Sequence, residues 1–424
     1  MDDRSGQQSP RLRLLWKELE ASPENGDAVV EKFLSERRAA QGPLVEPLPG
    51  SEERVLLTLL YPGDPATRGV LVESAPNLYS FASMERFAGT SLWSASFIVP
   101  RNSRIVYHFV VRRVVPTTEG DSPGLRLTIT KERDALNPAR SSIAPLLATV
   151  VFPDTAAQPY IVNTGVPQGA LVLREIKSSL LDETRPYTVY TPPGYDSRQR
   201  GACGLLLVFD GEYYGALDAP PEKRLIPTPA ILDNLIAAQE IPPLIAVLLN
   251  GQETRNRDLA CSPLFLQFLR DELLPAVRTE FVGAARRARR VIVAGSSFGG
   301  LFGAYCALTD SKTFGNVVSQ SGSFWFYPEF NEVPNNGRDS LLPESTILAL
   351  MRETKRQPVR FYLEVGRFES VHRMQWSNRA ARDILRLKGY DVTYAEFPGS
   401  HDHECWRGSL ADGLMAVTRD WERQ

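Results

Sequence analysis

Leu12, Leu15, Trp16 and Leu19 recur at helical spacing near the start of the chain, and Val29, Val30, Phe33 and Leu34 repeat it. That spacing predicts two short helices. A Pro- and Gly-rich link follows at residues 43–50. From Val55 to Val151 the period shortens to apolar alternations at 55–60, 69–72, 92–99, 105–111 and 125–129, separated by turn residues. This rhythm predicts a β-sandwich-like domain. A second Pro-rich passage at 152–167 marks a boundary. Beyond it, strand-like runs at 171–176, 187–190, 205–209 and 245–249 alternate with helix-like runs at 231–239 and 263–277. Alternation of this kind predicts a mostly parallel sheet covered by helices on both faces. The chain thus divides into a helical leader (residues 1–48), a β-sandwich-like domain (49–153) and an α/β domain (154–424).

Composition narrows the classes. At 424 residues, with 43% hydrophobic and 23% charged positions, the chain has the makeup of a soluble protein of two domains, each able to bury its own core. A formal net charge of -2 provides no bulk attraction to nucleic acid or to an anionic membrane. The first eight residues lack the basic cap and apolar core of a secretory signal, and no run of about eighteen apolar residues suggests a membrane span, so a cytoplasmic protein is expected. Cys203, Cys261, Cys306 and Cys405 are scattered without paired spacing, as expected of reduced thiols. The basic run Arg286-Arg287-Ala288-Arg289-Arg290 reads as a solvated loop.

The chemistry concentrates in Gly295-Ser296-Ser297-Phe298-Gly299, which follows the apolar run 291–294 and precedes a helix-like run from Leu301. A strand, a sharp glycine-flanked turn and a helix put the Ser297 hydroxyl at the apex of a nucleophile elbow, where the helix start offers N–H groups to an oxyanion. The fold class this motif requires is an α/β-hydrolase domain, here preceded by the all-β one. A serine needs a base, and the chain has four histidines: His108, His372, His401 and His403. His108 lies in a strand-like run and reads as structural. In the order nucleophile, acid, histidine, the base follows the last strand, 391–397, and His401 stands in the loop after it. His403 is its competitor, and the two could instead ligate a metal, but no Cys or carboxylate cluster at zinc spacing supports that. For the acid that orients the imidazole, Glu369 follows the strand-like run 361–366, with Glu364, Asp402 or no acid as alternatives. Oxyanion donors are expected at Phe298, next after the nucleophile, and at the Gly211–Glu212 turn after the buried run 205–209.

Five blocks, 210–214, 254–261, 294–301, 319–325 and 400–408, together resemble the enterochelin (enterobactin) esterases, and the stretches 87–93 and 134–138 extend the likeness toward the N-terminus. The resemblance implies a cytoplasmic esterase that hydrolyses the serine trilactone of a ferric catecholate siderophore. Its partner would be that small molecule, with no nucleic acid and no membrane, and it would need no cofactor, the iron arriving with the substrate. It agrees with Ser297 as nucleophile and His401 as base, and it draws attention to Arg255 and Arg407 for an anionic chelate and to Trp325 and Trp406 for catechol rings. Serine stands at Ser400 where the family commonly has glycine, and the loop around Glu369 is only loosely matched. A feruloyl- or polysaccharide-type esterase and a catalytically silent siderophore-binding protein are the alternative functions.

Overall fold

The leader helices form where the periodicity places them, as α1 (Pro10–Ala21) and α2 (Gly26–Ala40) in the computed structural model, which describes residues 9–73, 81–87, 89–117, 124–199, 202–328 and 345–421. Ser9 caps α1 by accepting the Leu12 N–H at 3.2 Å, and Pro10 occupies the first helical position, where its missing N–H costs nothing. Residues 1–8 of the predicted leader lie outside the described residues.

The chain divides into two compact units, Met1–Ala156 with Pro398–Asp402, and Ala157–Phe397 with His403–Gln424. In the first, the leader is not a separate body: Leu12, Leu15, Val30, Phe33 and Leu34 share one core with Leu44, Leu60, Leu92 and Leu136. The Pro/Gly-rich link is itself a strand, β1 (Leu44–Leu48). It joins β2 (Ser51–Pro62), β6 (Leu92–Pro100) and β5 (Glu85–Arg86) in one antiparallel sheet. The second sheet runs β4 (Phe81–Ser83), β3 (Thr67–Glu73), β7 (Arg104–Thr117) and β8 (Gly124–Glu132), with β9 (Ala148–Val151) also on β7.

The second unit is built on eight strands: β10 (Ala170–Ser178), β11 (Glu183–Thr191), β12 (Gly204–Phe209), β13 (Leu244–Leu249), β14 (Val291–Ser296), β15 (Asn316–Gln320), β16 (Arg360–Gly366) and β17 (Asp391–Phe397). Their spatial order is β10-β11-β13-β12-β14-β15-β16-β17. The β10–β11 and β11–β13 pairs are antiparallel and every later pair is parallel. Helices α3 (Thr228–Ala237), α4 (Arg255–Leu259), α5 (Pro263–Phe268), α6 (Leu274–Glu280), α7 (Phe298–Thr309), α8 (Thr346–Glu353) and α9 (Trp376–Leu387) lie between them in the chain, and α10 (His403–Thr418) follows the last. The near-continuous apolar runs of β12 and β13 are buried on both faces, as a covered parallel sheet demands. The two-residue period then sorts side chains: Leu205, Leu207 and Phe209 enter one core with Phe265 and Phe302, while Leu206 and Val208 enter the other with Ile231 and Leu410. The predicted helix 263–277 is broken by a π turn at Leu269–Leu273, because Pro275 has no N–H to continue the α ladder.

Candidate active site

β14 passes into α7 through Ser297, whose φ of 57° and ψ of −119° place it in a backbone region that side chains rarely occupy. Such a conformation costs about 1–3 kcal/mol and persists only where neighbours hold it. Here the Ser297 N–H donates to the Gln320 carbonyl at 2.9 Å, and its own carbonyl accepts N–H groups from Ser323 at 3.0 Å and Leu301 at 3.1 Å. The turn is so tight that a Cβ on Gly295 would stand 2.8 Å from the Gly299 carbonyl carbon. Ser297 Oγ lies 3.2 Å from Ser323 Oγ.

The strand beside β14 ends in a second strained turn. Asp210, directly after β12, has φ of 57°, and its buried carboxylate accepts Arg255 Nε at 2.5 Å and Nη2 at 2.6 Å. The Gly211 N–H donates to the Leu249 carbonyl at 2.9 Å, so this residue shapes the turn and its own N–H is committed to the sheet. A Cβ there would sit 2.7 Å from the Leu248 backbone. Glu212 follows; its carboxylate accepts the Gly251 N–H at 3.0 Å and is pushed above the ordinary glutamate range by burial and by the Asp210 charge. The structure brings Arg255, Phe298 and Trp325 together: the guanidinium carbon is 5.9 Å from the Phe298 ring centre, which is 6.2 Å from that of Trp325. Arg255 therefore enters the site as half of a bidentate ion pair. The Trp325 indole N–H points at Met374 Sδ, 2.9 Å away.

Glu369 lies three residues beyond the end of β16 and is 2% exposed. One of its carboxylate oxygens accepts Ser321 Oγ–H at 2.5 Å and the Gly366 N–H at 2.8 Å. Glu364 is employed elsewhere: inside the sheet it accepts from Ser409 Oγ at 2.6 Å, Tyr362 OH at 2.8 Å and Gln320 Nε2 at 3.1 Å, and burial pushes it up to about 7. His401 and Asp402 belong to the loop Pro398–Asp402 that follows β17, where the Pro398 carbonyl accepts the Arg104 N–H at 3.2 Å. His403 opens α10, with its ring centre 4.6 Å from that of Tyr213 and 5.1 Å from that of Trp406. His108 is on β7, 2.7 Å from the Glu73 carboxylate, and burial lowers its pKa. Among the described residues, no group of three His, Cys, Asp or Glu side chains is disposed to hold a metal.

Two of the residues suggested for substrate contact have other employment. Trp406 is 2% exposed, with its indole N–H on Ser321 Oγ at 3.1 Å, so its ring packs the core and presents no face to a catechol. Arg407 donates from Nε to Gln158 Oε1 at 2.8 Å and pairs with Glu404 at 3.3 Å. Sequence reasoning assigned no role to Asp210, which ends the apolar run 205–209, or to Gln320 and Ser321, which stand shortly after the apolar pair Val317-Val318. A polar residue in a buried strand end signals a required partner.

A serine on a strained strand-to-helix turn at the end of a central parallel strand, in a chain whose N-terminal part is β-rich, defines an α/β-hydrolase-type esterase. The family described as "Putative esterase" matches residues 178–417. The chain is 30% identical over 360 residues to the iron(III) enterobactin esterase of Dickeya dadantii (strain 3937), covering 78% of each. It is 26% identical over 405 residues to the iron(III) salmochelin esterase of Escherichia coli O6:H1 strain CFT073, covering 90% of this chain and 92% of that one. It superposes with a TM-score of 0.66 and 25% identity on the enterobactin esterase of Shigella flexneri crystallised in the presence of enterobactin, over 90% of this chain and 97% of that one. The chain belongs to the enterobactin esterase family.

Proposed function

We propose that this protein is a serine esterase that hydrolyses the trilactone esters of a ferric catecholate siderophore of the enterobactin class, so that iron is released within the cell. Ser297 Oγ attacks the ester carbonyl while His401 takes its proton; Glu369 holds the imidazole and stabilises its charged form. The N–H groups of Phe298 and Glu212 receive the oxyanion. The proton then returns to the departing alkoxide, and water, activated by the same imidazole, cleaves the acyl-enzyme.

The observation that carries this reading is the φ/ψ of Ser297, a strained conformation that suits a presented hydroxyl. Strand order supports the rest: Ser297, Ser321, Glu369 and His401 follow the C-terminal ends of β14, β15, β16 and β17, four parallel neighbours. The relatives' names supply the substrate class. Mass spectrometry of products from ferric enterobactin, its iron-free form and a feruloylated sugar tests it. Linear catecholoyl-serine products are expected, together with labelling by a fluorophosphonate that is lost in Ser297→Ala; cleavage of the feruloyl ester alone would replace the substrate assignment. No helix among the described residues is long and apolar enough to cross a membrane.

A further inference from the structure

At the opposite end of the same strands lies a cavity of about 360 Å³, lined by Arg289, Arg290, Arg356 and Arg360 together with Asp391 and Asp420. Asn316, Arg360 and Asp391 are register partners at the starts of β15, β16 and β17, whereas Ser297 follows the far end of β14. Strands of this length separate the two ends by roughly 15–20 Å. The cavity is therefore distinct from the esterase site.

Its charge is lopsided. Arg360 takes up both lining acids, donating to Asp391 at 2.7 Å and Asp420 at 2.6 Å, and gives its third nitrogen to the Val417 carbonyl at 3.0 Å. Asp391 is engaged further by Arg419. Arg356 is anchored through Nε to the Gly389 carbonyl at 2.8 Å, a bond that fixes its direction without cancelling its charge. Arg290 is held similarly by the Ala202 carbonyl at 3.1 Å and lies 5.7 Å from the Trp421 ring centre. Arg289 and Arg356 are in no ion pair among the described residues, and both are exposed. Two guanidinium groups lining one cavity from separate segments suit an anion with several oxygens and two charges. The volume admits a small organic group attached to it. The basic run at 286–290, which reads in isolation as a solvated loop, supplies one wall.

We propose that this cavity binds a phosphate dianion, either free or as the head of a small phosphomonoester. The test is thermal unfolding of the full chain titrated with inorganic phosphate and with phenyl phosphate, against sodium chloride at equal ionic strength. A saturable rise in Tm is expected, about 2–4 °C once ligand exceeds Kd roughly tenfold. Tighter binding of phenyl phosphate would identify an organic ester as the occupant, and equal binding would identify free phosphate. In the double variant Arg289→Gln/Arg356→Gln, Kd should weaken at least tenfold while far-UV circular dichroism and ester hydrolysis stay unchanged. A rise no larger than that given by chloride, or one retained in the double variant, overturns the proposal.

Discussion

Replacing Gly295 by alanine tests the elbow as a piece of geometry. The new Cβ would lie 2.8 Å from the Gly299 carbonyl carbon, 2.9 Å from its Cα and 3.2 Å from its oxygen. These are backbone atoms, so no side chain can rotate away. Relief requires the end of β14 and the start of α7 to separate by roughly 0.5 Å, an overpacking that costs about 1–3 kcal/mol. That corresponds to a fall in Tm of about 2–10 °C. The same displacement moves Ser297 Oγ and the Phe298 N–H; a misplacement of about 1 Å costs about 100-fold in rate, so half of that should cost roughly tenfold. Gly303→Ala in the same helix is the control. There the nearest atom to the new Cβ is Val293 Cγ2 at 3.6 Å, an ordinary contact. Gly303→Ala should be neutral or stabilising by up to about 1 kcal/mol through helix propensity. The assays are thermal unfolding and kcat on ferric enterobactin. Equal behaviour of the two variants would refute the close-approach argument, and an unaltered kcat in a destabilised Gly295→Ala would refute the elbow as the catalytic turn.

Ser297→Ala should abolish measurable turnover with Tm changed by no more than a few degrees, as read by product analysis beside circular dichroism; near-normal turnover would remove the nucleophile assignment. Asp210→Ala leaves Arg255 without its bidentate partner and should lower stability by roughly 2–4 kcal/mol, somewhat less than a fully buried pair because the guanidinium is partly solvated. Urea denaturation checks this, and a loss under about 0.5 kcal/mol would count against the pair as the brace of that turn. Glu364 holds its proton up to about 7 in the folded protein, against an ordinary value of 4.5, so the native state binds the extra proton. Stability should therefore fall as pH rises from about 4.5 to 7, by on the order of 3 kcal/mol from this group. Glu364→Gln, which keeps a donor in place of the acid proton, should flatten that slope; identical slopes in urea melts at pH 5 and pH 8 would contradict it.

The elbow, the alternation of strands and helices and the two core faces were legible in the linear chain because each is a local property. A tight turn demands glycine at 295, where a side chain would meet the backbone of Gly299, and a covered strand such as 205–209 must be apolar at consecutive positions. β15 escaped because it has only two apolar residues, Val317 and Val318, between buried polar ones, of which Asn316 bonds the Arg289 and Val291 carbonyls and Gln320 bonds Tyr214, Glu364, Trp406 and Ser409. The employment of each charged or aromatic side chain was not legible either. Arg255 meets Asp210 across 45 positions, Trp406 meets Ser321 across 85, and Arg407 meets Gln158 across 249. Arg289 joins Arg356 at one cavity for the same reason. Whether such a group faces a ligand, an ion-pair partner or water depends on which distant segment folds against it, and that follows from strand order and packing, on which residue type and spacing alone are silent.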